Sequence, residues 1–154
     1  MIIKRMNALL VFLALSSLVS FAPPSAANIE IAIIVNSENP VTKMGSEFVR
    51  NYWLRRFVKR WKEINKGILP VDRKSKCAEQ EIFYNQVLGL PSDKVEVYLT
   101  SRQYQNGDTP PLKLDTDADI ITYVGREQGA IGYVNASSLS DSDKSVKVIL
   151  QVSK

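Results

Sequence analysis

The chain has 154 residues, of which 45% are hydrophobic and 23% charged, a balance that fits one folded domain with an ordinary core. It contains no histidine, which excludes Ser-His, Cys-His and histidine–metal chemistry, and its one cysteine, Cys77, excludes an internal disulfide. The net charge is +4, but no basic stripe interleaved with aromatic residues accompanies it, so no nucleic-acid partner is expected.

The first 27 residues have the pattern of a cleaved secretory signal peptide. Lys4 and Arg5 precede an uncharged apolar run from Ala8 to Phe21, and small residues then lead to the expected cut after Ala27. The alternative is a retained anchor, but about 14 apolar residues are too few for a bilayer core that needs about 20. We therefore expect a periplasmic location and a mature form, starting at Asn28, that does not span the membrane.

The first half of this mature chain predicts strand, helix and strand. Residues 29–35 are β-branched and nearly all apolar, which is typical of a strand buried on both faces between layers of helices. A polar loop at 36–40 follows, and Ser46 begins a helix that covers about 46–54 and continues raggedly to Trp61. A short apolar strand is predicted at 68–71.

The second half predicts three helices and two strands. One helix covers about 78–88 and ends at Gly89, and the next begins with Ser92 as its N-cap. Asp115 or Thr116 caps a helix that runs through Val124. Strands follow at 129–134, where glycines indicate a bend or a close backbone approach, and at 146–152. Together the pattern predicts a single three-layer α/β domain over 28–154, with a mixed sheet flanked by helices.

No group of residues calls for catalysis, a cofactor or a metal. Neither a C-x-x-C motif nor a phosphate-binding glycine loop occurs. The acidic residues Asp115, Asp117 and Asp119 lie at a helix start, where the helix dipole favours negative charge. We therefore expect a protein that is not an enzyme.

Two features allow two interpretations each. Six basic residues crowd the stretch from Arg50 to Lys62, as either a solvated helix face or a surface that meets a partner or an anion. Cys77 is either a small core residue or a reactive or intermolecular thiol.

Two strand-to-helix loops are candidate anion sites, because free N–H groups and the helix dipole attract anions at helix N-termini. One follows the first strand, and the other runs from Asp72 to Cys77 and carries Arg73, Ser75 and Lys76. In open α/β sheets ligands bind at the carboxyl ends of strands, so we expect both loops at one end of the sheet.

The order of several motifs resembles the small phosphate ABC transporter substrate-binding-like proteins, which are relatives of the periplasmic phosphate-binding proteins. These motifs are VNSENPV (35–41), PVDR (70–73), AEQEIFYNQVLG (78–89), PP (110–111) and GAIGYV (129–134). The resemblance implies a type II periplasmic-binding-protein-like fold, oxyanion binding at helix N-termini, and an ABC permease or another envelope protein as partner.

The same resemblance places Arg73 on an arginine of the family's phosphate-binding loop. Cys77, Ala78 and Glu79 then replace a Ser-Gly-Thr sequence, which removes two hydroxyls and adds a carboxylate. A second departure is length, because full-length relatives enclose their ligand between two lobes.

Two hypotheses follow. The first is an extracytoplasmic solute-binding-like protein for phosphate or another small oxyanion, serving an ABC transporter. The alternative is an envelope interaction or regulatory protein that keeps the fold without tight ligand binding. The residues predicted to bind the anion are Asn36, Ser37, Asn39, Arg73, Ser75, Lys76 and Cys77.

Overall fold

A computed structural model describes residues 28–154, and the predicted signal peptide lies outside the described residues. The main sheet has five strands, which are β1 (Glu30–Asn36), β4 (Leu69–Arg73), β5 (Leu112–Leu114), β6 (Ala130–Asn135) and β7 (Val146–Ser153). They lie in the order β5-β4-β6-β1-β7. Strand β1 is antiparallel to β6 and β7, whereas β4 is parallel to β5 and β6, so the predicted mixed sheet is confirmed.

Helices cover both faces of this sheet, which gives the predicted three layers. Alternate residues of β1 point into two cores: Ile33 contributes to one and Ile34 to the other, and both are fully buried. The helices are α1 (Ser46–Trp53), α2 (Ala78–Ile82), which continues as a π-helical segment (Phe83–Leu88), α3 (Ser92–Asn106) and α4 (Asp117–Arg126). The first core is covered by α1, α2 and α3, and the second by α4.

Two predicted helix ends are confirmed, at Gly89 and at Thr116, the latter being one of the two predicted N-cap candidates. The π-helical segment stops at Gly89, whose φ of 65° is left-handed and suits glycine. Thr116 is the N-cap of α4, and its Oγ1 accepts a hydrogen bond from the Asp119 N–H at 3.1 Å. The N-cap of α3 is Pro91 rather than Ser92, which is the first helical residue.

Three short strands were not predicted. The helix α1 ends at Trp53 and does not continue to Trp61, because residues 60–61 (β2) pair with residues 66–67 (β3) in a small hairpin. Strand β5 is only three residues long and lies at the edge of the sheet. An edge strand is less buried than an inner one, so its sequence does not need a strong apolar pattern. The polar turn at 106–111 therefore leads into a strand before α4 begins.

Gly129, just before β6, and Gly132 within it permit close packing, as predicted. A Cβ at Gly129 would collide with the carbonyl oxygen of Gly67, and one at Gly132 would lie 3.0 Å from Ile120 Cγ2. Helix α4 and the β2–β3 hairpin can therefore approach β6 directly. No helix among residues 28–154 is long and apolar enough to cross a membrane.

Candidate functional site

The two predicted anion loops lie at opposite ends of the sheet. Residues Leu69 and Ala130 are paired at the start of the parallel strands β4 and β6. Val35, at the carboxyl end of the antiparallel β1, pairs with Ile131 near that same start of β6. The prediction that both loops share one end is wrong, because a buried apolar strand gives no signal of its direction.

Asn36 and Asn39 stabilise the first of these loops. The Asn36 Nδ2 donates hydrogen bonds to the carbonyls of Val124 and Gly125, both at 3.0 Å, at the end of α4. Asn39 is fully buried, and its Oδ1 accepts from the Val41 N–H at 3.0 Å. The loop therefore lies beside the negative end of the α4 dipole, which disfavours an anion. Ser37 is exposed and lines an open cleft there.

The other end of the sheet brings two helix N-termini together. Strands β4 and β5 are parallel neighbours, so the residues after each lie side by side. The chain runs from β4 through Cys77 into α2, and from β5 through Thr116 into α4. The two neighbouring junctions in the fold are therefore β4–α2 and β5–α4, and the loop after β1 is not one of them.

Arg73 lies between these two junctions, but its guanidinium is already paired. The side chain is 8% exposed, and its Nη2 forms an ion pair with the Asp117 carboxylate. Its Nη1 donates to the Asp115 carbonyl at 3.4 Å, while its Nε has no hydrogen-bond partner among the described residues. Asp117 also accepts from the Asn135 N–H at 3.3 Å and from the Ser138 hydroxyl at 2.5 Å.

A second carboxylate, Glu79, lies in the first turn of α2. It accepts a hydrogen bond from the Asn135 Nδ2 at 3.2 Å. Burial alone would raise the pKa of Glu79, but hydrogen bonds from its own N–H, Asn135 and Cys77, together with the charge of Arg73, hold that pKa below its ordinary value. Glu79 is therefore ionised at neutral pH, at the helix end where a bound anion is expected.

The other predicted ligands form the outer part of this loop. Ser75 and Lys76 are exposed, and the neighbouring Lys74 Nζ lies 3.5 Å from the Asp115 carboxylate. Cys77 is half-buried, and burial raises the pKa of its thiol, so the thiolate is disfavoured. Of these residues, only Lys74 and Lys76 add positive charge near Arg73, and the partners of the Arg73 guanidinium in the described chain are Asp117 and Asp115.

A fully buried carboxylate, Asp72, lies under the loop. Its oxygens accept hydrogen bonds from the hydroxyls of Tyr84 at 2.7 Å and Tyr133 at 2.6 Å, and from the Arg73 N–H at 2.8 Å. Burial, followed by the charge of Asp72, raises the pKa of both tyrosines, so both remain neutral donors. Lys113 Nζ lies 3.5 Å away and supplies the counter-charge.

The site contains groups that can bind an oxyanion, but two carboxylates of the chain itself already interact with them. The Arg73 guanidinium and the N-terminus of α2 could receive an oxyanion, but Asp117 and Glu79 lie beside them. Among residues 28–154 no group of three His, Cys, Asp or Glu side chains could hold a metal ion. In the sequence, the position of Asp117 indicates only an interaction with the α4 dipole. Its contact with Arg73 depends on β5, which was not predicted.

The similarity of this chain to known proteins is found in its structure. No protein-family model matches the chain, and the comparison with curated proteins gives no match. Solved structures do match. A phosphate ABC transporter substrate-binding protein with bound phosphate, from Clostridium perfringens, matches with a TM-score of 0.61 at 19% identity. An ABC-type phosphate transport receptor from Vibrio cholerae matches at 0.59 and 21%, and PstS from Borrelia burgdorferi at 0.58 and 15%.

These matches define the class of fold. The described chain has a periplasmic-binding-protein-like α/β fold, and its resemblance to phosphate substrate-binding proteins is confirmed at the level of fold. Each match covers 79% of this chain but only 44%, 46% and 47% of the three structures, respectively. The chain thus spans less than half the length of these proteins.

Proposed function

We propose that this chain is an exported, non-enzymatic, solute-binding-like protein of the periplasm that binds phosphate or another small oxyanion at the carboxyl end of β4, in the service of an ABC transporter. The fold supports this assignment, because ligands of open α/β sheets bind at the carboxyl ends of strands. The position of Arg73 supports it further, since a guanidinium between two helix N-termini suits a small oxyanion. Ser75, Lys76 and Cys77 form the outer wall of this site.

Asn36, Ser37 and Asn39 have no part in the proposed site. They lie at the other end of the sheet, where the Asn36 amide bonds to its own loop and to α4. The Asn39 Oδ1 accepts from the Val41 N–H, while its buried Nδ2 has no hydrogen-bond partner among the described residues. The proposed ligand therefore contacts one loop cluster, formed by the β4–α2 and β5–α4 junctions.

The position of Arg73 between two helix N-termini is the observation on which the proposal depends, and the ion pair with Asp117 limits the affinity. An oxyanion that binds Arg73 must displace the Asp117 carboxylate or share the guanidinium with it. Two like charges about 4 Å apart repel by several kcal/mol at the effective dielectric constant of a protein surface. The wild-type affinity is therefore low, and it is set by competition with Asp117.

The test compares Asp117→Asn with Asp115→Asn in thermal melts with phosphate, using sulfate as the second anion. Both variants remove one negative charge, but the Asp115 carboxylate is 58% exposed and pairs with Lys74 instead of Arg73. We expect Asp117→Asn to strengthen phosphate binding at least tenfold, about 1.4 kcal/mol, and Asp115→Asn to change it little. Stabilisation of about 2.7 kcal/mol at a hundred times Kd is measurable as a shift of several degrees in Tm.

Arg73→Ala in the Asp117→Asn background is the matching loss-of-function variant. It should abolish the gain while its melt without phosphate shows that the chain still folds. Equal phosphate responses of the two Asp→Asn variants would contradict the proposed site.

A second candidate function is an envelope interaction or regulatory protein that keeps the fold without tight ligand binding. The carboxylates of Asp117 and Glu79 favour it, because they already neutralise the groups that an anion needs. It predicts no phosphate-dependent shift in Tm for the wild type or for Asp117→Asn. Charge reversal at Arg55 and Arg56 should then disrupt co-purification of a partner from the envelope.

A further inference from the structure

A rigid loop after α1 holds an aromatic side chain in solvent. We define the basic loop as residues 55–62, and Phe57 in it is 84% exposed. Leu54 on one side of Phe57 and Trp61 on the other are 2% and 0% exposed, respectively, so both ends of the loop are anchored in the core. The exposure of Phe57 is therefore imposed by the fold.

Hydrogen bonds fix the backbone of this loop on both sides of Phe57. The Arg56 N–H donates to the Asn51 carbonyl at 3.0 Å, and the Arg102 guanidinium donates to the Arg55 carbonyl at 3.2 Å. Beyond Phe57, the Ile68 N–H donates to the Lys59 carbonyl at 3.0 Å. An exposed phenyl ring on a fixed backbone loses little conformational freedom when it meets a partner.

Positive charge surrounds Phe57. The basic loop contains no acidic residue, and among its cations only Lys59 forms a salt bridge within the described chain, to Asp108 at 3.0 Å. Asp108 also pairs with Arg102 at 2.7 Å, and the exposed Glu63 follows the loop directly, so the five cations of the loop still outnumber the two carboxylates beside it. Arg55 donates to the Thr109 carbonyl and Arg56 lies over the Tyr98 ring, so the exposed cations of the loop are Lys59, Arg60 and Lys62.

We propose that the basic loop binds the surface of an anionic phospholipid bilayer, with Phe57 entering the interface and the exposed Lys59, Arg60 and Lys62 contacting lipid phosphates. Cationic side chains next to an exposed aromatic ring are the combination that anionic lipid interfaces attract. A protruding ring requires no preformed pocket in a fluid interface, whereas an acidic protein would have to provide one. This inference is independent of the proposed oxyanion site.

The test places a fluorescent probe at the tip of the loop. Phe57→Trp reports locally, because the two native tryptophans, Trp53 and Trp61, are buried and shielded from solvent. Tyr104→Trp is the matched control, since Tyr104 is also 84% exposed but lies about 200° around α3 from Arg102, which contacts the loop. Because the change in signal comes from the substituted position, it can be read in the full-length protein.

We expect the emission of the Phe57→Trp variant to shift to the blue with vesicles of phosphatidylcholine and phosphatidylglycerol but not with phosphatidylcholine alone. High salt should reverse the shift, and Arg60→Glu with Lys62→Glu should weaken vesicle binding at least tenfold. The emission of the Tyr104→Trp variant should not respond. An equal response to neutral vesicles, no response, or a response to polyglutamate but not to anionic vesicles would overturn the proposal.

Discussion

At the scale of single residues, Asp72 is the clearest case of a charge retained inside the fold. Burial of a carboxylate is costly unless its oxygens are satisfied, and here two tyrosine hydroxyls, a backbone N–H and Lys113 satisfy them. The network ties β4 to β6 and to the π-helical segment after α2. It thereby fixes the backbone from which Arg73 projects.

Replacement of Asp72 by Asn should therefore destabilise the protein strongly. The amide presents an N–H₂ group to one of two hydroxyls that now donate, and the substitution removes the negative charge that Lys113 balances. We expect the free energy of unfolding to fall by about 3 kcal/mol in urea denaturation. Tyr133→Phe, which removes one donor only, should cost about 1 kcal/mol. A variant Asp72→Asn as stable as the wild type would contradict this account.

The environment of Asp108 predicts how the stability of the protein depends on pH. Burial raises its pKa, but hydrogen bonds and charge from Lys59 and Arg102 outweigh burial and hold the pKa below its ordinary value. A depressed pKa adds stability above the pKa of the unfolded chain, about 3.9, and this stability is lost as the pH falls towards the folded value.

The stability of Asp108→Asn should accordingly be lower than that of the wild type at pH 7, by about 1 kcal/mol or less. The difference should close between about pH 5 and pH 3. Thermal melts of both proteins across this range measure it, with the exposed Asp115→Asn as the control that should show a smaller gap. A gap that widens in acid would be the contrary result.

At the scale of elements, the sequence predicts those segments whose pattern is long and apolar. Strand β1, with five consecutive fully buried residues, and the helix ends at Gly89 and Thr116 were predicted on local physical grounds. Strand β5 and the β2–β3 hairpin were not, since two or three residues have no measurable periodicity. Their pairing is decided by neighbours that are distant in sequence.

The contact between Gly129 and Gly67 tests one such pairing. A methyl group at Gly129 would collide with the Gly67 carbonyl, whereas a methyl group at Gly67 would meet no atom within 4 Å. We expect Gly129→Ala to lower the free energy of unfolding by about 2 kcal/mol, since the hairpin must move away from β6. Gly67→Ala is the matched control and should change it by less than about 0.5 kcal/mol. If both substitutions changed the free energy of unfolding by the same small amount, the hairpin would be free to move away from β6 at little cost, contrary to this prediction.

At the scale of the whole molecule, strand direction explains why the seven residues predicted to bind the anion do not lie together. Seven residues were placed in one site, but β1 runs against β4, so Asn36, Ser37 and Asn39 are separated from Arg73 by the length of the sheet. No residue of a strand buried on both faces reveals which way it runs. The direction follows from how the whole sheet assembles, and the pairing of Arg73 with Asp117 depends on that assembly.

Strand β1 contributes side chains to both cores, so we expect the described chain to unfold as one unit. Ile34 lies in the core under α4, whereas Trp53 and Trp61 lie in the core on the opposite face. Ile34→Ala should lower the free energy of unfolding by about 3 kcal/mol through the cavity that it leaves. If the two cores are cooperative, tryptophan fluorescence must report the full loss although no tryptophan lies in the damaged core, and circular dichroism must give the same midpoint. A fluorescence transition that stays in place while the dichroism transition shifts would show that the two faces of the sheet unfold separately.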